Sequence, residues 1–289
     1  MEIQDIKTKE ENTWCPGCTN MSILRSVQEV LTDLVNESKI EKKNISIACD
    51  IGCFAKIFDY LNVNGFYGLH GRTLPLCFGM KVGNPELTVI GFAGDGATYG
   101  EGVSHLVHSC RFNADFTMIV SNNKTFALTT GQASPTSRKG YKGVSTPLGV
   151  GEEPMNPLAL ALVSGASFVA RGNALNPVQL KSIFKQAIEH KGFAFIDILQ
   201  PCLTFNNFIP YIQKNAYELE GGHDVEDLNQ ALKKASEWDY SVDEDKKVAT
   251  GIFYKKERPI YEDQWPQLKK PWYQVERNIN QQENTKEFV

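Results

Sequence analysis

Apolar runs bounded by polar turns alternate with segments of helical periodicity as far as residue 199. Strands are predicted for the runs at 45–48, 87–92, 116–120, 168–170 and 193–199. Helices are predicted from 22, over 100–111, 157–164 and 177–191, and from 74 onward. This alternation predicts an α/β fold in which a mostly parallel sheet carries helices on both faces.

The pattern becomes less regular beyond residue 206. Residues 215–245 are charged and partly helical, and residues 255–289 mix Pro, Trp, Tyr and charged residues with little periodicity. We therefore predict one domain over residues 1–210. Residues 211–289 are predicted to form an irregular C-terminal tail, an extension that packs on the domain or on a partner subunit.

Composition narrows the class of protein without identifying it. The 289 residues are 42% hydrophobic and 22% charged, with a net charge of −4, which is ordinary for a soluble globular chain. The weak negative charge gives no reason to expect nucleic acid or a membrane as partner, and no apolar run approaches the ~20 residues that span a bilayer. The polar N-terminus lacks the apolar core of a signal peptide. We expect a cytoplasmic protein whose thiols are reduced.

Two polar clusters follow neighbouring strands of one predicted βαβ unit. Gly94-Asp95-Gly96-Ala97 ends the first strand, and Ser121-Asn122-Asn123 ends the second. In open α/β sheets ligands bind at the carboxyl ends of strands. Asp95 and Asn123 offer the oxygen ligands that Mg²⁺ prefers, and the flanking glycines let backbone N–H groups approach a diphosphate. An Asp-Gly turn in a Rossmann-like domain is the alternative, although no G-x-G-x-x-G follows a strand.

Four of the seven cysteines lie in turns next to predicted strands or helices. Cys15 and Cys18 form a Trp-Cys-Pro-Gly-Cys motif before a helix, while Cys53 and Cys202 follow strands. A thioredoxin-like redox pair would need a strand just before the motif, where residues 7–13 are polar. Structural zinc would need two further ligands, and an iron–sulfur cluster would use all four thiolates. The remaining cysteines lie in apolar patterns and are predicted to be buried: Cys49, Cys77 and Cys110.

Charged and polar residues near these turns are candidates for substrate contacts. His70 and Arg72 could meet a diphosphate or a substrate carboxylate, although Arg72 in a structural ion pair is the alternative. Lys56 lies one helical turn after Cys53 and could face the same space. The polar loop 125–137 follows the second motif strand, where long loops are usually functional.

Six motifs occur in one order along residues 12–210. They are WCPGC, IGC before a helix, HGR, GDG, NN-x-x-F-x-x-T-x-GQ and a strand that ends in PCxTFN. Together they resemble the β subunit of the 2-oxoacid:ferredoxin oxidoreductases, which bind thiamine diphosphate. A weaker resemblance continues through Gly251-Ile-Phe-Tyr.

The resemblance implies three cofactor sites. A [4Fe-4S] cluster would be held by Cys15, Cys18, Cys53 and Cys202. Mg²⁺ would take Asp95, Asn123 and the backbone carbonyl of Thr125. Thiamine diphosphate would lie against Ile51, Gly52, Cys53, Phe54, His70, Gly71, Arg72, Gly94, Gly96, Ala97, Ala127 and Leu128.

The resemblance also implies which residues act on the substrate. Catalytic roles would fall to Lys56, His70, Arg72 and Thr130, with Lys56 at a position implicated in substrate choice. Two positions depart from the family pattern. Ala97 stands where many relatives carry Asp, and Thr130 where Gly or Lys is frequent.

The implied reaction is the coenzyme A-dependent oxidative decarboxylation of a 2-oxoacid, pyruvate or 2-oxoglutarate, to acyl-CoA and carbon dioxide. Electrons would pass through the cluster to ferredoxin, and the reaction could run in reverse. An α subunit, or α plus γ, would supply the pyrimidine-binding domain, since this chain has no room for one. Two alternatives remain: a non-redox thiamine diphosphate-dependent decarboxylase subunit, and a cluster-bearing electron-transfer subunit.

Overall fold

Eight strands form one sheet in the computed structural model, which describes residues 1–219, 221–241 and 246–276. The order across the sheet is β2-β1-β3-β4-β6-β5-β8-β7, and the pairings are parallel except that between β5 and β8. The strands are β1 Ile45–Cys49, β2 Asn64–Tyr67, β3 Thr88–Gly94, β4 Phe116–Asn122, β5 Phe168–Asn173, β6 Ala194–Leu199, β7 Ala216–Glu218 and β8 Val248–Lys255.

Helices cover both faces of the sheet because each presents one apolar side to it. The helices are α1 Asn20–Asn36, α2 Ile57–Tyr60, α3 Thr73–Gly83, α4 Val103–Phe112, α5 Pro157–Val163, α6 Pro177–Glu189, α7 Ile209–Asn215 and α8 Leu228–Ala235. Helices α1 and α6 contribute to the core on one face, and α3, α4, α5 and α8 to the core on the other. Among the residues described, none of these helices combines the length and the apolar character that crossing a bilayer requires.

The predicted α/β fold is confirmed, and the two motif strands end where the motifs begin. Strand β3 runs to Gly94, directly before Asp95, and β4 runs through Asn122. The crossover helix has an irregular start, since residues 96–101 form a π-helical segment before α4. Strands β1, β3, β4 and β6 are neighbours in the sheet, so their carboxyl ends meet at one edge.

The chain beyond residue 210 is more regular than its sequence pattern indicates. Strand β8 pairs antiparallel with β5, and β7 pairs with β8, so the extension continues the sheet of the preceding domain. The apolar side chains Val248, Ala249 and Phe253 of β8 are buried, so a core strand follows the charged segment 215–245. Residues 277–289 of the predicted tail lie outside the described residues.

Asn113 joins the domain to the part of the extension around Arg258 and Pro259 through hydrogen bonds. It ends α4 in the left-handed conformation, with φ of 57°. Its side chain donates to the carbonyls of Arg258 and Pro259 at 3.3 and 3.2 Å, and its Oδ1 accepts from the Ser167 hydroxyl at 2.5 Å. The extension is thus joined to the domain by buried polar contacts as well as by the sheet.

Candidate active site

A cavity opens at the carboxyl ends of β1, β3 and β4. Most residues predicted to hold thiamine diphosphate or magnesium line it. Ser121, Phe126 and Thr129 line it too, and their motifs were singled out in the sequence although they were assigned no cofactor role. The full lining is Ile51, Gly52, Cys53, Phe54, His70, Gly94, Asp95, Gly96, Ala97, Ser121, Asn123, Thr125, Phe126, Ala127, Leu128 and Thr129.

Asp95 is a buried carboxylate in the wall of this cavity. Its Oδ2 accepts hydrogen bonds from the hydroxyls of Ser134 at 2.5 Å and Thr136 at 2.9 Å. Burial raises the pKa of Asp95 to about 6, although these hydrogen bonds favour the charged form. A cation beside this carboxylate would lower its pKa again, so the group suits a divalent metal ion.

The loop that follows β4 places two oxygen-bearing residues beside Asp95. The Asn123 side-chain oxygen accepts the Thr125 N–H at 3.0 Å, which forms a tight turn, and Asn206 donates to the Asn123 carbonyl at 3.0 Å. Both Asn123 and Thr125 line the cavity with Asp95. The donor set therefore fits a hard cation such as Mg²⁺.

Glycines leave room for a ligand and for a neighbouring ring. A Cβ placed on Gly52 or on Gly94 would meet no atom within 4 Å, so open space lies beside both residues. A Cβ on Gly96 would come within 2.3 Å of the Phe126 ring, which excludes a side chain there. The helical segment after Asp95 begins at Gly96, whose own N–H interacts with the Asp95 carboxylate; the N–H groups that follow in its first turn fit an anionic ligand such as a diphosphate.

The His70-Gly71-Arg72 turn is tied to β1 and to the helical segment after β3. Gly71 has φ of 74°, and its N–H donates a long 3.4 Å hydrogen bond to the buried carboxylate of Asp50. The His70 Nδ1 lies 3.1 Å from the Glu101 carboxylate. Burial raises the pKa of Asp50 to about 7. Asp50 therefore supports a turn whose histidine lines the cavity.

Four residues predicted to act at the site lie outside the cavity lining: Lys56, Gly71, Arg72 and Thr130. The Arg72 guanidinium contacts the His105 ring at 2.6 Å, and burial, with Arg72 nearby, lowers the pKa of His105. Lys56 donates to the Thr13 hydroxyl at 2.5 Å. Thr130 is exposed and has φ of 75°, a conformation that favours glycine. The catalytic roles of Lys56, Arg72 and Thr130 and the cofactor contact of Gly71 stay predictions.

The four turn cysteines lie close enough to influence one another. Burial raises the pKa of Cys53 to about 11, and the thiolates of Cys202, Cys18 and Cys15 contribute to the increase. Burial likewise raises the pKa of Cys18, with Cys202 and Cys15 adding to the effect. Such mutual repulsion is relieved when thiolates bind metal, so this donor set fits a metal–sulfur cluster.

The contacts around these cysteines join the N-terminal motif to the turn after β6. The Gln200 amide lies 3.9 Å from the Cys18 sulfur, and the Thr204 hydroxyl lies 4.0 Å from the Cys15 sulfur. No group of three or more His, Cys, Asp or Glu side chains is gathered tightly around one ion position within the described part of the chain.

The remaining cysteines are structural. Cys49, Cys77 and Cys110 are buried. Burial raises the pKa of each, to about 12 for Cys110. They act as small apolar side chains in the core, as the sequence predicts.

Two family profiles match successive parts of the chain. The profile of the thiamine pyrophosphate enzyme C-terminal TPP binding domain matches residues 50–198. The profile of the C-terminal part of the pyruvate ferredoxin oxidoreductase beta subunit matches residues 202–270. The first profile begins directly after β1 and spans β3 and β4, at whose carboxyl ends the cavity lies. The chain therefore carries the diphosphate-binding fold of thiamine pyrophosphate enzymes.

Individual relatives narrow this class. The chain is 38% identical over 265 residues to the 2-oxoacid:ferredoxin oxidoreductase 1 subunit beta of Aeropyrum pernix, an alignment that spans 87% of this chain and 80% of the relative. It is 40% identical over 263 residues to a 2-oxoacid:ferredoxin oxidoreductase subunit beta of Saccharolobus solfataricus, over 86% and 83% of the two chains. A solved 2-oxoglutarate:ferredoxin oxidoreductase from Magnetococcus marinus, with 2-oxoglutarate, coenzyme A and succinyl-CoA bound, aligns with a TM-score of 0.89. Its identity is 29%, and the alignment covers 100% of this chain and 96% of that one.

The chain belongs to the β subunits of the 2-oxoacid:ferredoxin oxidoreductases. The predicted family, the predicted α/β fold and the predicted class of oxidoreductase are confirmed. The non-redox decarboxylase is not favoured by these relatives.

Several residues around the site had no distinct sequence signal. Ser134 and Thr136 lie in the polar loop 125–137, which the sequence marks as functional without indicating that both hydroxyls reach Asp95. Asp50 directly precedes the IGC motif, and Phe126 is the phenylalanine of the NN-x-x-F motif, but neither position indicates by itself what its side chain contacts. Their roles follow from contacts between distant segments, which spacing alone does not reveal.

Replacing Asp50 by Asn should change how stability depends on pH. The folded chain holds the Asp50 proton more tightly than the unfolded chain, because its pKa rises from 3.8 to about 7. Wild-type stability should therefore fall as pH rises between these values. The variant's free energy of unfolding, relative to wild type, should increase by on the order of 2 kcal/mol from about pH 5.5 to about pH 8.

Denaturant unfolding of the isolated chain at both pH values would measure this difference. Asp33→Asn, at an exposed position of α1, is the matched control and should show a smaller change. An Asp50→Asn difference that is equal at both pH values would contradict the interpretation.

Proposed function

We propose that this chain, with an α subunit, catalyses the coenzyme A-dependent oxidative decarboxylation of a 2-oxoacid and passes the electrons to ferredoxin. One observation carries the proposal. Cys53 lines the cavity that fits magnesium and diphosphate, and it also belongs to the group of four neighbouring cysteines. The site of decarboxylation and the electron acceptor would therefore lie side by side at one edge of the sheet.

Mg²⁺ would be held by Asp95, Asn123 and the Thr125 carbonyl. The buried carboxylate of Asp95 and the turn at Asn123 support this, since both stand in the same cavity wall. The diphosphate would lie against the Gly94–Ala97 segment. The open space beside Gly94 and the backbone N–H groups after Asp95 support that position.

Cys15, Cys18, Cys53 and Cys202 would hold a [4Fe-4S] cluster. Their electrostatic coupling and the contacts of Gln200 and Thr204 with the motif sulfurs support the assignment. When bound, thiamine diphosphate supplies carbanion chemistry at the keto carbon and the cluster accepts electrons one at a time.

The chain's own residues would bind and orient the reactants. His70 lines the cavity and is held by the Glu101 carboxylate, so its ring is oriented toward a ligand there. Arg72, Lys56 and Thr130 stand farther out, where they could meet a substrate carboxylate or coenzyme A. In the balanced reaction the carboxylate carbon leaves as carbon dioxide, the acyl group joins the coenzyme A sulfur, the thiol proton is released, and ferredoxin takes both electrons.

An α subunit would close the open side of the cavity and supply the pyrimidine-binding domain. Two apolar residues of the lining, Ile51 and Leu128, are 41% and 49% exposed, and Leu69 beside His70 is 74% exposed. Exposed apolar groups around a cavity mouth indicate a protein partner. The subunit designation of the relatives supports the same assembly.

We propose 2-oxoglutarate as the preferred 2-oxoacid. The support is the solved relative, which holds 2-oxoglutarate and succinyl-CoA and aligns over the whole of this chain. Pyruvate is the competitor, and a ratio of kcat/KM values with both acids would decide between them.

The decisive experiment uses this chain co-produced with its α partner and purified without oxygen. We expect a brown protein that bleaches with dithionite, contains about four irons per β chain from this subunit and retains thiamine diphosphate. With 2-oxoglutarate and coenzyme A it should reduce ferredoxin. A colourless protein that binds thiamine diphosphate would contradict the cluster assignment and would still support the diphosphate site.

Replacing Asp95 by Ala should abolish Mg²⁺-dependent binding of thiamine diphosphate, because the metal loses its only charged ligand in the proposed set. Iron content and the visible spectrum should be unchanged. Equilibrium dialysis of the purified complex with Mg²⁺ would measure the binding. Asp33→Ala is the control, and cofactor affinity equal to wild type in the Asp95 variant would refute the metal assignment.

Replacing Cys202 by Ala should lower the iron and sulfide content by more than about half, because a four-thiolate site loses one ligand. Thiamine diphosphate binding should be retained. Cys110→Ala, at a buried cysteine away from the site, should leave iron content unchanged. Equal iron in the Cys202 variant and in wild type would assign the fourth ligand to another residue.

A further inference from the structure

The C-terminal extension reaches the back of the metal-binding loop through Trp238 and Tyr240. Both side chains are fully buried, although they follow α8, which carries two lysines in its last turn. The Trp238 and Tyr240 rings stack with centroids 4.3 Å apart. We call this pair the clamp.

The first contact of the clamp is with Lys124. This residue stands between Asn123 and Thr125, is buried, and has φ of 61°, so its backbone bends the loop sharply. Its ammonium group donates to the Tyr240 carbonyl and lies 4.9 Å from the centre of the Trp238 ring. Lys124, which stands between two proposed metal ligands, is therefore held in place by contacts with the extension.

The second contact runs through the Tyr240 hydroxyl. It donates to the Asp197 carboxylate at 3.2 Å and accepts from Arg171 at 2.8 Å. The other oxygen of Asp197 accepts the Asn122 amide at 2.9 Å. Asn122 is thereby fixed with its side-chain oxygen turned away from Asp197.

That oxygen lies 2.8 Å from the Thr136 hydroxyl, which also lies 2.9 Å from Asp95 Oδ2. The hydroxyl carries one hydrogen, so it donates to one of the two oxygens at a time. A continuous chain of polar contacts thus leads from Tyr240 through Asp197 and Asn122 to the carboxylate in the cavity wall.

We propose that Tyr240 and Lys124 are positioning residues for the magnesium and diphosphate site. The inference rests on the proposed function, since it concerns the same metal site. Two separate sets of contacts from one segment end on both sides of Asn123: one at Asn122 and one at Lys124. A segment needed only to fill the core would not require polar contacts that meet at the ligand loop.

Contacts to the residues on either side of a metal ligand orient that ligand before the metal binds. The extension then contributes to cofactor affinity without touching the cofactor. Its role differs from that of Asp95, because loss of the Tyr240 hydroxyl leaves every proposed ligand in place.

Tyr240→Phe is the sharpest test, because it removes one oxygen atom and keeps the stacked ring. We expect Mn²⁺ binding, measured by electron paramagnetic resonance on the anaerobic complex with thiamine diphosphate, to weaken by about tenfold or more. Lys124→Met, which keeps the length of the side chain and removes its charge, should weaken Mn²⁺ binding similarly. Iron content should be unchanged in both.

Tyr217→Phe is the matched control. Tyr217 lies in β7 of the same extension, and its hydroxyl contacts Glu237 and Lys234 instead of the metal loop. This variant loses a comparable tyrosine hydroxyl and should keep wild-type Mn²⁺ affinity. Affinities are compared well below the unfolding temperature of every variant, so a role in stability alone would lower Tm and leave affinity unchanged.

The possible outcomes distinguish a failure of the proposed function from a failure of the positioning role. If the wild-type complex binds neither Mn²⁺ nor thiamine diphosphate, the proposed function fails. If wild type binds both, and either Tyr240→Phe or Lys124→Met binds Mn²⁺ as tightly as Tyr217→Phe, the positioning role is refuted. Should Tyr240→Phe not fold, Lys124→Met alone decides.

Discussion

Parallel pairing of four neighbouring strands is the constraint on which the site depends. Cys53 follows β1, Asp95 follows β3, Asn123 follows β4 and Cys202 follows the end of β6. Parallel strands that lie side by side end at one edge, so residues far apart in sequence meet there. A slip of one residue in any strand would turn its side chains to the opposite face and separate these groups. The hydrophobic core that fixes the register therefore also fixes the chemistry.

The buried ion pair behind the site is better explained by orientation than by stability. Arg171 of β5 and Asp197 of β6 are register partners, and both are fully buried. Burying two charges costs desolvation that an apolar pair would avoid. Asp197 recovers part of that cost through hydrogen bonds from Tyr99, Asn122 and Tyr240. The result is a polar framework with one arrangement, which leads to the cavity through Asn122.

Sequence patterns predicted the fold and most of the cavity because local signals mark them. Apolar runs ended at Asp95 and Asn123, and the glycines beside Asp95 indicated an anion site. The contacts that support these residues were not predictable, since Tyr240 and Asp197 lie 43 residues apart in the sequence. A tyrosine in a charged segment carries no periodic signal, and its partner is distant in the chain. Long-range polar contacts thus limit what a single sequence reveals.

The protonation of the proposed ligands indicates how cofactor loading is coupled to the fold. Burial raises the pKa of Asp95 to about 6 and that of Cys53 to about 11, so both groups hold protons more tightly than they would in water. Cations displace those protons and at the same time remove the cost of burying the charged forms. Bound iron would offset the repulsion between neighbouring thiolates, and a bound metal ion would give the buried carboxylate a partner. If the proposed function holds, the site would be most stable with both kinds of cation bound, because each would remove a cost of burying charge at this sheet edge.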